Sequence, residues 1–314
     1  MQIMYRLVQV FAVAAPLALV GCAGDDGGVT GGDVGTVQVF VEPEETIPEG
    51  LAAGTGDEEI NDGWTVTYSR FLITIGNLRA SRSDTGDSIS HAPVHVLDLL
   101  AAPAGGYVIH EFEDVAAARW DRFGFDLPNA SAGATGMAPT AQADVDFMIQ
   151  NGYSVYFEGV IEKADGESCP PPGTTCVAAT QVAFRWGLQA GTSFDDCATE
   201  DGFTGFAVPS GGAVQVKPTI HGDHWFFNNF TAGVELTSRY AQYIANSDLD
   251  GDGEATVEEL RLVNAADVFP SADYNLSGAV GGSIETAHDF VVAQARTLGD
   301  YQGDGECPTR QPLP

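Results

Sequence analysis

The chain has 314 residues, enough for about two domains at ~150 residues each. Its 44 acidic residues against 13 Lys and Arg leave a formal charge of −31, which excludes nucleic-acid binding and recruitment to anionic lipid by basic side chains. A 44% hydrophobic share with 10% aromatics supports a real core, while 38 glycines and 16 prolines point to strands and turns.

The chain opens on an address. Arg6 supplies a positive start, and residues 7–20 form an apolar run broken only by Gln9. That run is shorter than the ~20 residues a spanning helix needs, and it reads as the apolar region of a signal peptide. It ends in Leu19-Val20-Gly21-Cys22, which resembles the lipobox of bacterial lipoproteins. The resemblance implies cleavage after residue 21 and a lipid on Cys22, and hence a protein anchored in the cell envelope, at the outer membrane or cell surface. Residues 22–35, rich in Gly and Asp, are expected to be a flexible tether.

Residues 36–230 carry the signals of a β-sandwich domain. Alternating, β-branched or aromatic runs occur at 36–41, 63–68 with 71–75 as one long strand or bent pair, 94–99, 119–125, 153–160, 181–186 and 214–220. Short strands bounded by Gly, Pro, Asn and Asp predict antiparallel pairing in a sandwich. Residues 129–144, mostly small and polar, are expected to form a loop. The stretch from His95-Val-Leu-Asp-Leu-Leu through Gly105-Gly-Tyr to Ala118-Arg-Trp-Asp-Arg-Phe-Gly-Phe resembles a transthyretin-like exported β-sandwich, which implies fold and not function.

Apart from Cys22, four cysteines remain, and an even number in an exported chain predicts two disulfides with three possible connectivities. Cys169 and Cys176 bracket a Pro- and Gly-rich turn and form the local pair, which leaves Cys197 with Cys307 by elimination. The segments at 153–161 and 177–188 flank the first pair and are expected to form a hairpin.

After residue 230 the period changes, and residues 231–314 are expected to form an α-helical module. Apolar residues from Val234 to Ile244 recur at spacings of two to four and predict a helix that ends before Ser247. Next come Asp248, Asp250, Asp252, Gly253, Glu254, Thr256 and Glu259, whose spacing resembles the EF-hand calcium loop. Hard Ca²⁺ takes six to eight oxygens at ~2.3–2.6 Å, and such a loop offers alternating carboxylates, a backbone carbonyl at Glu254, Thr256 directly or through water, and a bidentate Glu259. Asp273, Asn275, Ser277 and Ala279 resemble a second, degraded loop, in which the last acid, Glu285, falls one residue late. The resemblance implies a paired structure, with a helix over 256–268 stopped by Pro270 and a last helix over 283–298.

His221, Asp223 and His224 form one other cluster, at a strand end. With a third imidazole from His91, His95 or His110 they would suit Zn²⁺ or Cu²⁺, while the alternative is that they hydrogen-bond connecting loops. The chain has no GxSxG, HExxH or phosphate-binding loop, and no enzymatic role is expected. The sequence reads as an exported lipoprotein, mainly β with an α C-terminal module, that binds Ca²⁺. The alternatives are a periplasmic transition-metal protein and a surface adhesin or carbohydrate-binding module. The first would show converging histidines and the second exposed aromatics on one sheet face.

Overall fold

A computed structural model describes residues 33–56, 58–173, 175–230 and 238–314. The expected signal peptide, Cys22 with nearly all of the tether, and the first half of the helix expected after residue 233 lie outside the described residues.

Strand β1, Val34–Pro43, alternates as its sequence predicts, with Val37, Val39 and Val41 buried. Strand β2, Thr65–Ser81, is the continuous bent strand expected from its two apolar runs. It pairs along one edge with Val155–Glu162 and then Arg122–Leu127, and along the other with β3, Ser88–Asp98. The hairpin around the first disulfide forms as expected, Val155–Glu162 lying antiparallel to Gln181–Leu188. The resulting nine-stranded sheet faces a five-stranded one built on β1 and β4, Tyr107–Ala116, and a single apolar core is shared by both.

Three expectations change. The sandwich is not purely antiparallel: β1 runs parallel to Ala213–Val216 and to Pro218–Ile220, because a long connection returns the chain in the same direction. The loop expected over 129–144 ends in a helix, α1, Gln142–Asn151, closed by Gly152 at φ 64°. Its Val145 and Met148 cover Leu72, Val96 and Tyr156 on the outer face of the sheet. That cover is why residues 71–76 of β2 are buried on both faces while its ends alternate.

The third change is at the expected boundary near residue 230. Residues 33–314 form one compact unit, and the C-terminal segment does not fold apart from the sandwich. Strand Glu254–Thr256 extends the larger sheet beside Gln181–Leu188, and Gly299–Tyr301 extends the smaller one beside Pro218–Ile220. Thr309–Pro312 lies against Thr192–Asp195. The helices of this segment are short: α2 is Gln242–Asn246, α3 Val257–Leu260, α4 Ala265–Val268 and α5 Ala287–Ala295. The single helix expected over 256–268 breaks because Asn264 is extended and bridges Thr286, with Ala265 N–H donating to the Glu285 carbonyl at 2.9 Å. None of the described helices is long and apolar enough to cross a membrane.

Both disulfides pair as expected, Cys169 with Cys176 and Cys197 with Cys307, the second across 110 residues. In the chain-entropy view a loop of that size is worth ~5 kcal/mol to the folded state. Replacing Cys197 and Cys307 together by Ala should therefore lower the urea midpoint strongly. The measurement is equilibrium unfolding followed by tryptophan fluorescence.

Candidate functional site

Helix α2 delivers the chain into the acidic loop with Tyr243, Ile244 and Ala245 buried. A helix of this length cannot satisfy its own first N–H groups, and Asp62, from the turn before β2, does so: its Oδ2 accepts from Ala241 N at 2.8 Å and Gln242 N at 2.7 Å. Burial raises the Asp62 carboxyl above its ordinary value, against the pull of these backbone donors.

Within the loop, each acid folds the backbone around itself. Asp248 Oδ1 and Oδ2 accept from Gly251 N and Gly253 N at 2.8 and 3.0 Å. Asp250 Oδ1 accepts from Asp252 N at 3.1 Å, and Asp252 Oδ1 from Glu254 N at 2.9 Å. Gly251 and Gly253 have φ of 75° and 88°, the left-handed backbone that this winding requires. Thr256 then caps α3, with Glu259 N donating to Thr256 Oγ1 at 3.2 Å and Thr256 N donating to Glu259 Oε2 at 2.8 Å. Glu259 Oε1 reaches back to Leu249 N at 2.9 Å.

These contacts bring carboxylate oxygens of Asp248, Asp250 and Glu259 within 4.8 Å of one another. Asp252 stands outside that group, and Glu254 sends its carboxylate to Arg185 at 3.7 Å. Asp248 is 3% exposed, and burial raises its carboxyl above the ordinary value. Among the described residues no Lys, Arg or His makes an ion pair with Asp248, Asp250, Asp252 or Glu259. Oxygen-only donors gathered without a cation of their own fit a hard divalent ion.

The second loop is placed differently. Asn275 bridges Asn229, and Asn275 Oδ1 accepts from Ser277 N at 3.1 Å. Asp273 accepts, through its carbonyl, from the side-chain amide of Asn228, Ala279 packs against the core, and Glu285 precedes the capping box of α5. Among the described residues no β pairing joins this loop to the first. Ala255, where a paired EF-hand would join its partner, instead pairs with Phe184, and its carbonyl accepts from Trp186 Nε1 at 2.7 Å.

The histidines separate into two clusters. His91, His95 and His110 gather with one another, the His91 and His110 rings stacked at 3.7 Å, and supply no third imidazole to His221 and His224. The carboxylate that completes the His221–His224 group is Asp300, from the strand Gly299–Tyr301, with all three ligand atoms within 4.8 Å. Asp223 is instead held by Arg239, whose Nη2 and Nε lie 2.6 and 2.8 Å from its Oδ2. Burial pushes His224 down to about 3 and the Asp300 carboxyl up to about 7. Asp62 and Asp300 carry no sequence signal for these roles, since each acts across more than 70 residues of chain.

Phe203, 40% exposed, is the one exposed aromatic among the described residues, and Arg119 covers its ring at 4.5 Å. The sheets therefore present no aromatic face for a sugar.

No protein-family model matches the chain, and no curated protein is similar to it in sequence. A solved structure titled MbnP from Methylosinus trichosporium is similar at 9% identity over 66% of this chain and 80% of that one, with a TM-score of 0.31. A likeness of that size carries no argument about this chain's chemistry.

Removing the Asp62 carboxylate strands two buried backbone donors at the entry to the acidic loop. Asp62→Ala should lower stability by about 1–3 kcal/mol, whereas Asp62→Asn, which keeps an acceptor oxygen, should cost less. Urea unfolding of the two variants side by side measures the difference.

Proposed function

We propose that this chain is an exported, lipid-anchored protein that binds one Ca²⁺ in the loop from Asp248 to Glu259, where the ion acts mainly as a structural staple. The observation that carries the reading is the convergence of Asp248, Asp250 and Glu259 in a loop with left-handed glycines at 251 and 253. Asp248 and Asp250 would hold the ion through their carboxylates, and Glu259 would offer two oxygens from the first turn of α3. Bound calcium supplies the positive charge that offsets three close carboxylates.

The role as a staple follows from the two ends of the loop. Its entry is fixed by Asp62 at the start of α2, and its exit by the pairing of residues 254–256 with residues 183–185 of the sheet. A loop anchored at both ends has little room to open a groove on binding. Two disulfides support an oxidising compartment, where calcium is abundant and steady, and the lipid anchor rests on the Leu19–Cys22 motif. The biological role is that of an interaction protein of the envelope.

A ligand that binds only the folded state stabilises it by ~2.7 kcal/mol at a hundredfold excess over Kd. For a chain of this size that is roughly 5 °C in Tm. Calcium added to the chelator-treated protein should raise Tm by that amount, and the gain should fade as acid protonates the ligands. Asp250→Asn keeps the turn to Asp252 N but removes a charge, and Glu259→Gln removes the bidentate acid, so each should abolish most of the gain. Differential scanning calorimetry with and without calcium checks this. An unchanged wild-type Tm would overturn the reading.

A further inference from the structure

Where the chain leaves Pro218–Ile220, it turns through His221 and enters a 3-10 turn, His224–Phe226, pinned beneath the core by Trp225. His221, His224 and Asp300 are 8%, 7% and 6% exposed. His221 Nε2 lies 3.3 Å and His224 Nε2 3.9 Å from the same oxygen, Asp300 Oδ2.

The protons on these rings can be placed from their neighbours. Thr297 has one hydroxyl hydrogen, and it is donated to the Gln294 carbonyl at 2.8 Å. The 2.6 Å contact between Thr297 Oγ1 and His224 Nδ1 therefore requires His224 Nδ1 to be the donor. In the neutral ring that leaves a lone pair on Nε2, aimed at a carboxylate oxygen. His221 repeats the pattern: its Nδ1 faces Asp223 Oδ1 at 3.9 Å, and its Nε2 is buried with no hydrogen-bond partner. Three acceptors thus converge with no hydrogen between them. The nearest cations are committed elsewhere, Arg239 to Asp223, and Arg310 to Glu306 with only a 3.6 Å contact to Asp300 Oδ1.

We propose that His221, His224 and Asp300 form a buried site for one divalent transition-metal ion, Zn²⁺ or Cu²⁺, held by the two Nε2 atoms and Asp300 Oδ2. Two imidazoles and one carboxylate suit a borderline ion and not calcium. Ligand atoms ~2.0–2.1 Å from a tetrahedral zinc stand ~3.3 Å apart, so the 3.3 and 3.9 Å separations need only a small contraction. Thr297 on His224 Nδ1 and Asp223 near His221 Nδ1 are the outer partners that orient ligating imidazoles. This site is independent of the calcium loop, since the two share no residue.

The test uses the full chain, stripped with chelator, refilled with calcium, then exposed to Zn²⁺ alone or Cu²⁺ alone and desalted. Elemental analysis should find one transition metal per chain, and X-ray absorption should show two imidazoles with oxygen in the first shell. Thr297→Val, which removes only an outer partner, should weaken binding 10–100-fold, and His224→Gln at least as much. Asp250→Asn, in the calcium loop, should leave transition-metal binding unchanged, and so should His91→Gln with His110→Gln. If His224→Gln fails to fold, the wild-type absorption spectrum and the His91/His110 variant still decide. Folded wild-type protein that retains neither metal would overturn the proposal, as would metal lost from the His91/His110 variant or a first shell without imidazole.

Discussion

A strand of 17 residues cannot be covered by single neighbours of eight to eleven residues, and β2 meets this constraint by changing partners midway along one edge. The change falls at Gly76, where the pairing slips and where an added Cβ would lie 2.6 Å from the Pro93 carbonyl. Asn77, next to it, takes φ 49°, so the strand bends there. Arg79 then reaches across the bend to Asp126 and Asp195 at 2.8 and 2.7 Å, tying three strands with one guanidinium. One half of β2 thus belongs with the disulfide hairpin and the other with the strands that receive the C-terminal tail.

The C-terminal half of the chain is registered against the first half of β2 through aromatic packing. Phe157 stacks on Trp225 at 4.0 Å, and Trp225 Nε1 donates to Tyr68 Oη at 2.8 Å, while Tyr68 in turn donates to the Gly222 carbonyl. The turn that carries His221 and His224 is therefore set by the centre of the sheet. The acidic loop is set by its edge, through Ala255. The two clusters differ in chemistry for the same reason: a floor beneath aromatic rings favours imidazole, while a solvent-facing rim favours hydrated carboxylates.

Local signals made much of this legible. Alternation marked β1 and the hairpin around Cys169 and Cys176, and consecutive spacing marked the acidic loop, because its ligands are supplied by one short segment. Helix α1 was hidden because Val145 and Met148 are spaced too sparsely among small polar residues to mark a face. Strands Gly299–Tyr301 and Thr309–Pro312 were hidden because three or four residues with charges among them carry no period. Asp223 stood closest in sequence to the histidines, but Arg239 claims it, and Asp300 arrives from another strand. Such substitutions of one carboxylate for another belong to tertiary structure, as does the parallel return beside β1.

The bond between Cys197 and Cys307 has a topological consequence. It closes a ring of chain, and His221, His224, the whole acidic loop and Asp300 all lie inside that ring. Both clusters are therefore carried by one covalently closed circuit, and a single backbone cut in an exposed turn between residues 197 and 307 releases no fragment bearing either. The circuit closes only where thiols are oxidised, which makes the order of events in the life of the protein a matter of compartment: passage out of a reducing cytoplasm comes first, ring closure second, and the finished clusters exist only on the far side.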